Sequence, residues 1–277
     1  MNSFKIVARM VLAWIALLAA QMVAGMFIHL DAPNMPGIMR WLMLANAVIV
    51  LALGAAALRS DWRDWRLTRA LFFVPAAIAT VNMIEGVLFL PNAHMDWRRL
   101  IALTLAGYAI AAVLWLLIFR TAPVPDASVE AALPHRSVPQ MLGRAVLCSA
   151  CYVFLYFLAG TIIFPYVRDF YATQHLPSPG QIVSLQFFLR GPVFILVCLT
   201  LLRMFRLPHF SGALAVGLAF TVLSGVAPLI MPNPIFPDSV RWVHFGEVTS
   251  SNFVFGFVVG WVWGHVRAEP RLAQAHA

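Results

Sequence analysis

The chain has 277 residues, of which 62% are hydrophobic and 11% charged, with a formal charge of +8 and a mean hydropathy of +0.84. Soluble globular domains carry about 25% charged residues, so this composition excludes an ordinary water-soluble fold and makes lipid the main solvent. The basic residues stand singly or in pairs between apolar runs, which argues against nucleic acid as a partner and for loop charges that set membrane orientation.

A hydrocarbon core about 30 Å thick needs roughly 20 apolar residues in helix, because backbone groups in lipid must be satisfied within their own segment. Eight stretches meet that need: Phe4 to His29, Pro36 to Leu58, Thr68 to Leu90, Leu100 to Phe119, Leu142 to Phe164, Gly180 to Leu202, Ser211 to Ile230 and Val240 to His265. The expected fold is all-α and integral to the membrane, with eight transmembrane helices and the bilayer as partner. With the N-terminus inside, thirteen basic residues are cytoplasmic, against five outside: Arg40, Arg98, Arg99, Arg168 and Arg241. The positive-inside rule then puts both termini in the cytoplasm, and the expected location is a bacterial inner membrane.

The halves of the chain resemble each other. Arg9-x-Val11-Leu12 with Ala24-Gly25 recurs 135 positions later as Arg144-x-Val146-Leu147 with Ala159-Gly160. Pro36-Gly37 opens helix 2 as Pro179-Gly180 opens helix 6, and Pro91-Asn92 with Asp96-x-x-Arg99 returns as Pro232-Asn233 with Asp238-x-x-Arg241 before helices 4 and 8. In these outer turns proline ends one helix, and the aspartate is expected to cap the next and to pair with the arginine one turn on. Two tandem four-helix repeats follow: residues 1–120 and 141–277, joined by a proline-containing cytoplasmic linker at 121–140. An even number of spans gives both units one orientation and a pseudo-two-fold axis along the membrane normal. The match of helix 1 to helix 5 argues against reading helix 1 as a cleaved leader.

Ionisable residues in only one half are the stronger site candidates. They are Glu85 in helix 3, Arg190 in helix 6, and His244 and Glu247 in helix 8. A charge near the bilayer centre costs about 2.5 to 3.5 kcal/mol, so each needs a partner or water. At about 1.5 Å per residue, Glu85 lies roughly 7 Å, His244 and Glu247 roughly 6 to 10 Å, and Arg190 roughly 15 Å from the outer ends of their helices. Gln186 is one turn above Arg190 on the same face, Asn82 is one turn below Glu85, Asn252 is further down helix 8, and His29, His94 and His175 lie in the outer loops. The grouping points to a polar cavity in the outer half of the membrane, with Arg190 neutralised by Glu247 or Glu85. A guanidinium there suits a small anionic or carboxylate-bearing ligand, by bidentate hydrogen bonding.

Other signals are weaker. His244-x-x-Glu247 places two metal-ligand types one turn apart, but a single pair is not a metal site, and none is assigned. The histidines sit at span ends or in loops, unsuited to clasping a haem within the membrane. Cys148-Ser-Ala-Cys151 has redox spacing, yet cysteine is an ordinary small buried residue. Gly256, Gly260 and Gly264 form a close-packing stripe that could serve a neighbouring helix or a homo-oligomer. The segment from Tyr166 to Gly180 is expected to be an outer loop and a possible lid. No Walker loop, Rossmann fingerprint, Gly-x-Ser-x-Gly elbow or His-Glu-x-x-His motif is present. Three classes stay open: a small permease or solute-binding protein, an enzyme acting on a lipid or quinone head group, and an assembly subunit without a ligand.

Overall fold

Apolar runs of this length fold as helices because nothing else satisfies their backbone in lipid. The computed structural model of the protein describes residues 2–28, 37–90, 95–123, 136–174, 176–232 and 236–264, and every regular element among them is helical. The helices are α1 (Ser3–Phe27), α2 (Ile38–Arg59), α3 (Trp65–Phe89), α4 (Trp97–Phe119), α5 (Val138–Tyr171), α6 (Pro179–Phe205), α7 (His209–Ile230) and α8 (Asp238–Trp263). The first seven are long and apolar enough to cross a membrane, which makes the chain a polytopic membrane protein. The 26-residue α8 is as long, but Asp238, Arg241, Glu247 and the polar run Thr249–Asn252 leave it less apolar.

Local chemistry sets the helix starts. Asn2, Asp64 and Asp96 accept hydrogen bonds from backbone N–H groups at the starts of α1, α3 and α4. Ser178 and Gln181 form a capping box at α6. These side chains satisfy N–H groups that have no partner inside the helix.

Two expectations need correction. The helix ended at Phe164 in the sequence reading continues to Tyr171, so residues 166–171 belong to α5 and not to a loop. Pro165 sits inside that helix; it removes one hydrogen bond, a loss that long membrane helices absorb. The aspartate device also differs between the halves. Asp96 caps α4 and pairs with Arg99 at 3.2 Å on the surface. Asp238 lies inside α8, which starts after Pro237, and its partner Arg241 is buried. Arg241 also donates to the Leu229 and Ile230 carbonyls at the end of α7, an additional role that the short match did not reveal. Pro91, Asn92 and Asn233, together with His29, His94 and His175, lie outside the described residues.

α1 packs on α2 and α4, and α3 on α4; α5 packs on α6 and α8, and α7 on α8. α8 packs on α6 as well. The two sets of four meet through α2 and α3 on one side and α6 and α7 on the other. Arg9 of α1 donates to the Ile118 carbonyl, in the last turn of α4. Arg144 of α5 donates to the Val262 carbonyl, in the last turn of α8. In each case a cation meets the negative end of a helix dipole.

Several of these contacts gather at one end of the bundle, which can be called the basic end. There Arg63, in the turn between α2 and α3, donates to the Ala122 and Pro123 carbonyls at 3.1 Å. Burial lowers its pKa below the usual value, Asp61 opposing that shift and Arg9 adding to it. The opposite end holds the end of α3 beside the start of α4, and the end of α5 beside the start of α8.

The glycine stripe of α8 is used inside the chain. A Cβ on Gly260 would come within 2.7 Å of Ala213 Cα, and one on Gly256 within 3.0 Å of Gly217 Cα. α7 and α8 therefore touch backbone to backbone along this face.

Candidate functional site

Four of the candidate residues converge between α3 and α6. The Arg190 guanidinium forms an ion pair with Glu85 through Nη1. Its Nη2 donates to Asn82 Oδ1 at 2.9 Å, and its Nη1 to Gln186 Oε1 at 3.4 Å. Gln186 Nε2 in turn donates to Glu85 Oε1 at 3.0 Å. The Arg190 carbon Cζ stands 5.1 Å from the Phe194 ring centre and 5.7 Å from that of Tyr152, aromatic faces that attract a cation.

Helix direction explains how residues at different depths meet. Side chains lean toward the N-terminus of their helix, and α3 and α6 run in opposite senses. Arg190 therefore reaches back up α6 toward Gln186, one turn earlier, while Glu85 leans back down α3 toward Asn82. Their separation along the bundle is closed by the length of the arginine stem.

Arg190 sits at the end of a π-helical turn, Gln186–Arg190. Pro192, two residues on, has no N–H to give, and its ring would collide with a carbonyl one α-turn back. Widening the preceding turn relieves that clash, and such turns recur at functional sites. The second π-turn, Val222–Val226 in α7, also precedes a proline, Pro228.

The remaining candidates do not join Arg190 directly. His244 Nδ1 lies 2.6 Å from Glu247 Oε2, and His244 Nε2 lies 2.9 Å from the Tyr171 hydroxyl. The sequence left Glu247 and Glu85 as alternative partners of Arg190; the structure pairs Arg190 with Glu85 and gives Glu247 to the histidine one turn away. Asn252 belongs to neither group. It donates to Ser224 Oγ at 2.9 Å, and Ser224 to the Phe220 carbonyl, a buried link between α8 and α7.

Three tyrosines of α5 lie near both groups. Tyr152 and Tyr156 are within Coulombic range of Glu85, Arg190 and Glu247; Tyr171 is within range of both carboxylates. Tyr152 and Tyr156 carry no signal in the sequence, where tyrosine is unremarkable in an apolar helix; Tyr171 falls in the expected outer loop beyond Phe164, and the structure places it on α5.

Access to the site is uneven. The Arg190 side chain is 6% exposed and Glu85 22%. Above Glu85, a cleft of about 760 Å3 opens between Leu88 and Phe89 of α3 and the 176–185 segment that begins α6. Leu88 and Phe89 lie one turn beyond Glu85, and Ile182 one turn before Gln186, so the cleft adjoins the turns that carry the Glu85–Gln186 hydrogen bond. Arg190 Nε is buried with no acceptor among the described residues, and an unpaired buried donor costs about 1–3 kcal/mol.

Comparison with protein-family models, curated proteins and solved structures finds no match. The three cysteines are free thiols. No group of three or more histidine, cysteine, aspartate or glutamate side chains fit to hold a metal occurs among the described residues.

Proposed function

We propose that the chain is a small permease or solute-binding protein of the bacterial inner membrane that takes a carboxylate-bearing solute at Arg190. In this reading all eight helices span the membrane and both termini are cytoplasmic. The basic end faces the cytoplasm and the Glu85 cleft faces outward. The excess of arginine at one end supports that orientation. The helix neighbours common to the two halves and the matching roles of Arg9 and Arg144 support two parallel four-helix repeats.

One observation carries the ligand assignment. A buried guanidinium one turn from an outward cleft keeps its Nε–H without an acceptor among the described residues, while Nη1 is held by Glu85 and Gln186 and Nη2 by Asn82. An incoming carboxylate supplies acceptors for that fork. The test is uptake of radiolabelled lactate, pyruvate, gluconate and alanine into proteoliposomes. Arg190-dependent uptake of one of them is expected, lost in Arg190→Gln. Equal uptake by the wild type and Arg190→Gln defeats the assignment.

A second reading rests on His244, held between Glu247 and Tyr171 as an oriented acid–base group. It makes the chain an enzyme acting on a lipid or quinone head group from the outer side. Chemical change of lipid copurified with the wild type, absent in His244→Gln, decides for it over transport.

A further inference from the structure

Charge counting at Arg190 leads beyond the choice of ligand. Arg190 and Glu85 together are neutral, and their other direct partners, Gln186 and Asn82, carry no charge. A carboxylate that joins Arg190 leaves two negative groups on one positive group, in a place where Arg190 is only 6% exposed. An uncompensated charge in such surroundings is strongly disfavoured, and two carboxylates sharing a site drive one of them to hold a proton.

We infer that a monocarboxylate binds Arg190 together with one proton, and that Glu85 carries that proton. The ligand anion replaces Glu85 on the guanidinium, Glu85 takes H+ on its freed oxygen, and the site stays neutral. Glu85 is placed for this. Among the described residues it is the one charged partner of Arg190, and at 22% exposed it is the more accessible member of the pair. This inference rests on the permease reading and gives it a coupling ion and a substrate class.

The groups around Glu85 suit the exchange. Arg190 and Gln186 face it from α6, and Tyr152, Tyr156 and Tyr171 are near it on α5. On α8, Glu247 is already engaged by His244. The start of α4, whose Trp97 lies against Gly86, brings Asp96, Arg98 and Arg99, with Asp96 and Arg99 paired to each other. Arg190 is thus the cation in direct contact with Glu85. A zwitterion such as alanine would bring its own ammonium to Glu85 and need no proton.

The experiment uses wild-type proteoliposomes loaded with pyranine and offered labelled lactate, pyruvate, gluconate or alanine. For the anion transported, the expected results are one proton entering per anion and an accumulation ratio rising about ten-fold per unit of imposed pH difference. Glu85→Gln, a fixed mimic of the protonated side chain, is expected to keep exchange of labelled for unlabelled anion and to lose the response to pH. Anion uptake indifferent to the gradient, uptake of alanine alone, or a Glu85→Gln protein still driven by pH overturns the inference and leaves the permease reading standing. Absence of Arg190-dependent uptake of all four probes ends both. The wild-type proton count needs no variant and stands if Glu85→Gln does not fold.

Discussion

Arg190 and Glu85, on helices that run in opposite directions, meet because each side chain leans back along its own helix toward the other. Gln186 bridges the pair from the side, bonding to both partners. The charges of the pair are therefore coupled in stability as well as in binding.

Removing one charge of a buried pair strands the other, at about 3–5 kcal/mol. Arg190→Gln and Glu85→Gln are each expected to lower the midpoint of thermal unfolding in nanodiscs, and the double variant to fall well short of the two losses added together. Strictly additive losses would mean that the two residues do not act as a pair.

Pro192→Ala tests the origin of the π-turn. With an N–H restored, the turn can close to α-helical geometry, rotating the residues before it by about 100° relative to those after. The expected outcome is unchanged or higher thermal stability together with reduced Arg190-dependent uptake. Unchanged uptake would show that the proline does not set the arginine's position.

Gly260→Val is expected to destabilise by about 1–3 kcal/mol through overpacking, since its Cβ would meet Ala213 Cα at 2.7 Å. Gly25→Ala, whose Cβ meets nothing within 4 Å, should not destabilise. Thermal unfolding of the two proteins side by side checks the contrast.

Orientation is tested by cysteine labelling. Thr173→Cys is expected to react with a membrane-impermeant maleimide on intact cells, and Thr121→Cys only after permeabilisation. The reverse pattern places the Glu85 cleft in the cytoplasm.

The helices were legible in the sequence because lipid imposes long apolar runs, and the all-helical architecture follows from them. The chief difference in boundaries is at the end of α5, which runs through Pro165 to Tyr171, past the expected end at Phe164. Glu85, Arg190, His244 and Glu247 stood out because ionisable groups are costly in such segments. Their pairing did not, because it depends on side-chain direction: Glu247 finds His244 on its own helix, and Glu85 reaches Arg190 across a helix boundary. Asn252 was grouped with them by depth alone, and the structure turns it toward Ser224. The π-turn left one trace, the proline two residues after Arg190, which reads equally as an ordinary kink.

Binding at Arg190 is the claim on which the account depends. The most direct measurement is initial uptake of labelled lactate, pyruvate and gluconate into proteoliposomes by the wild type, Arg190→Gln and Ser250→Ala, Ser250 being exposed and bonded only to its own helix. The account predicts uptake of at least one of these anions, retained in Ser250→Ala and abolished in Arg190→Gln. Uptake that persists without the guanidinium contradicts it.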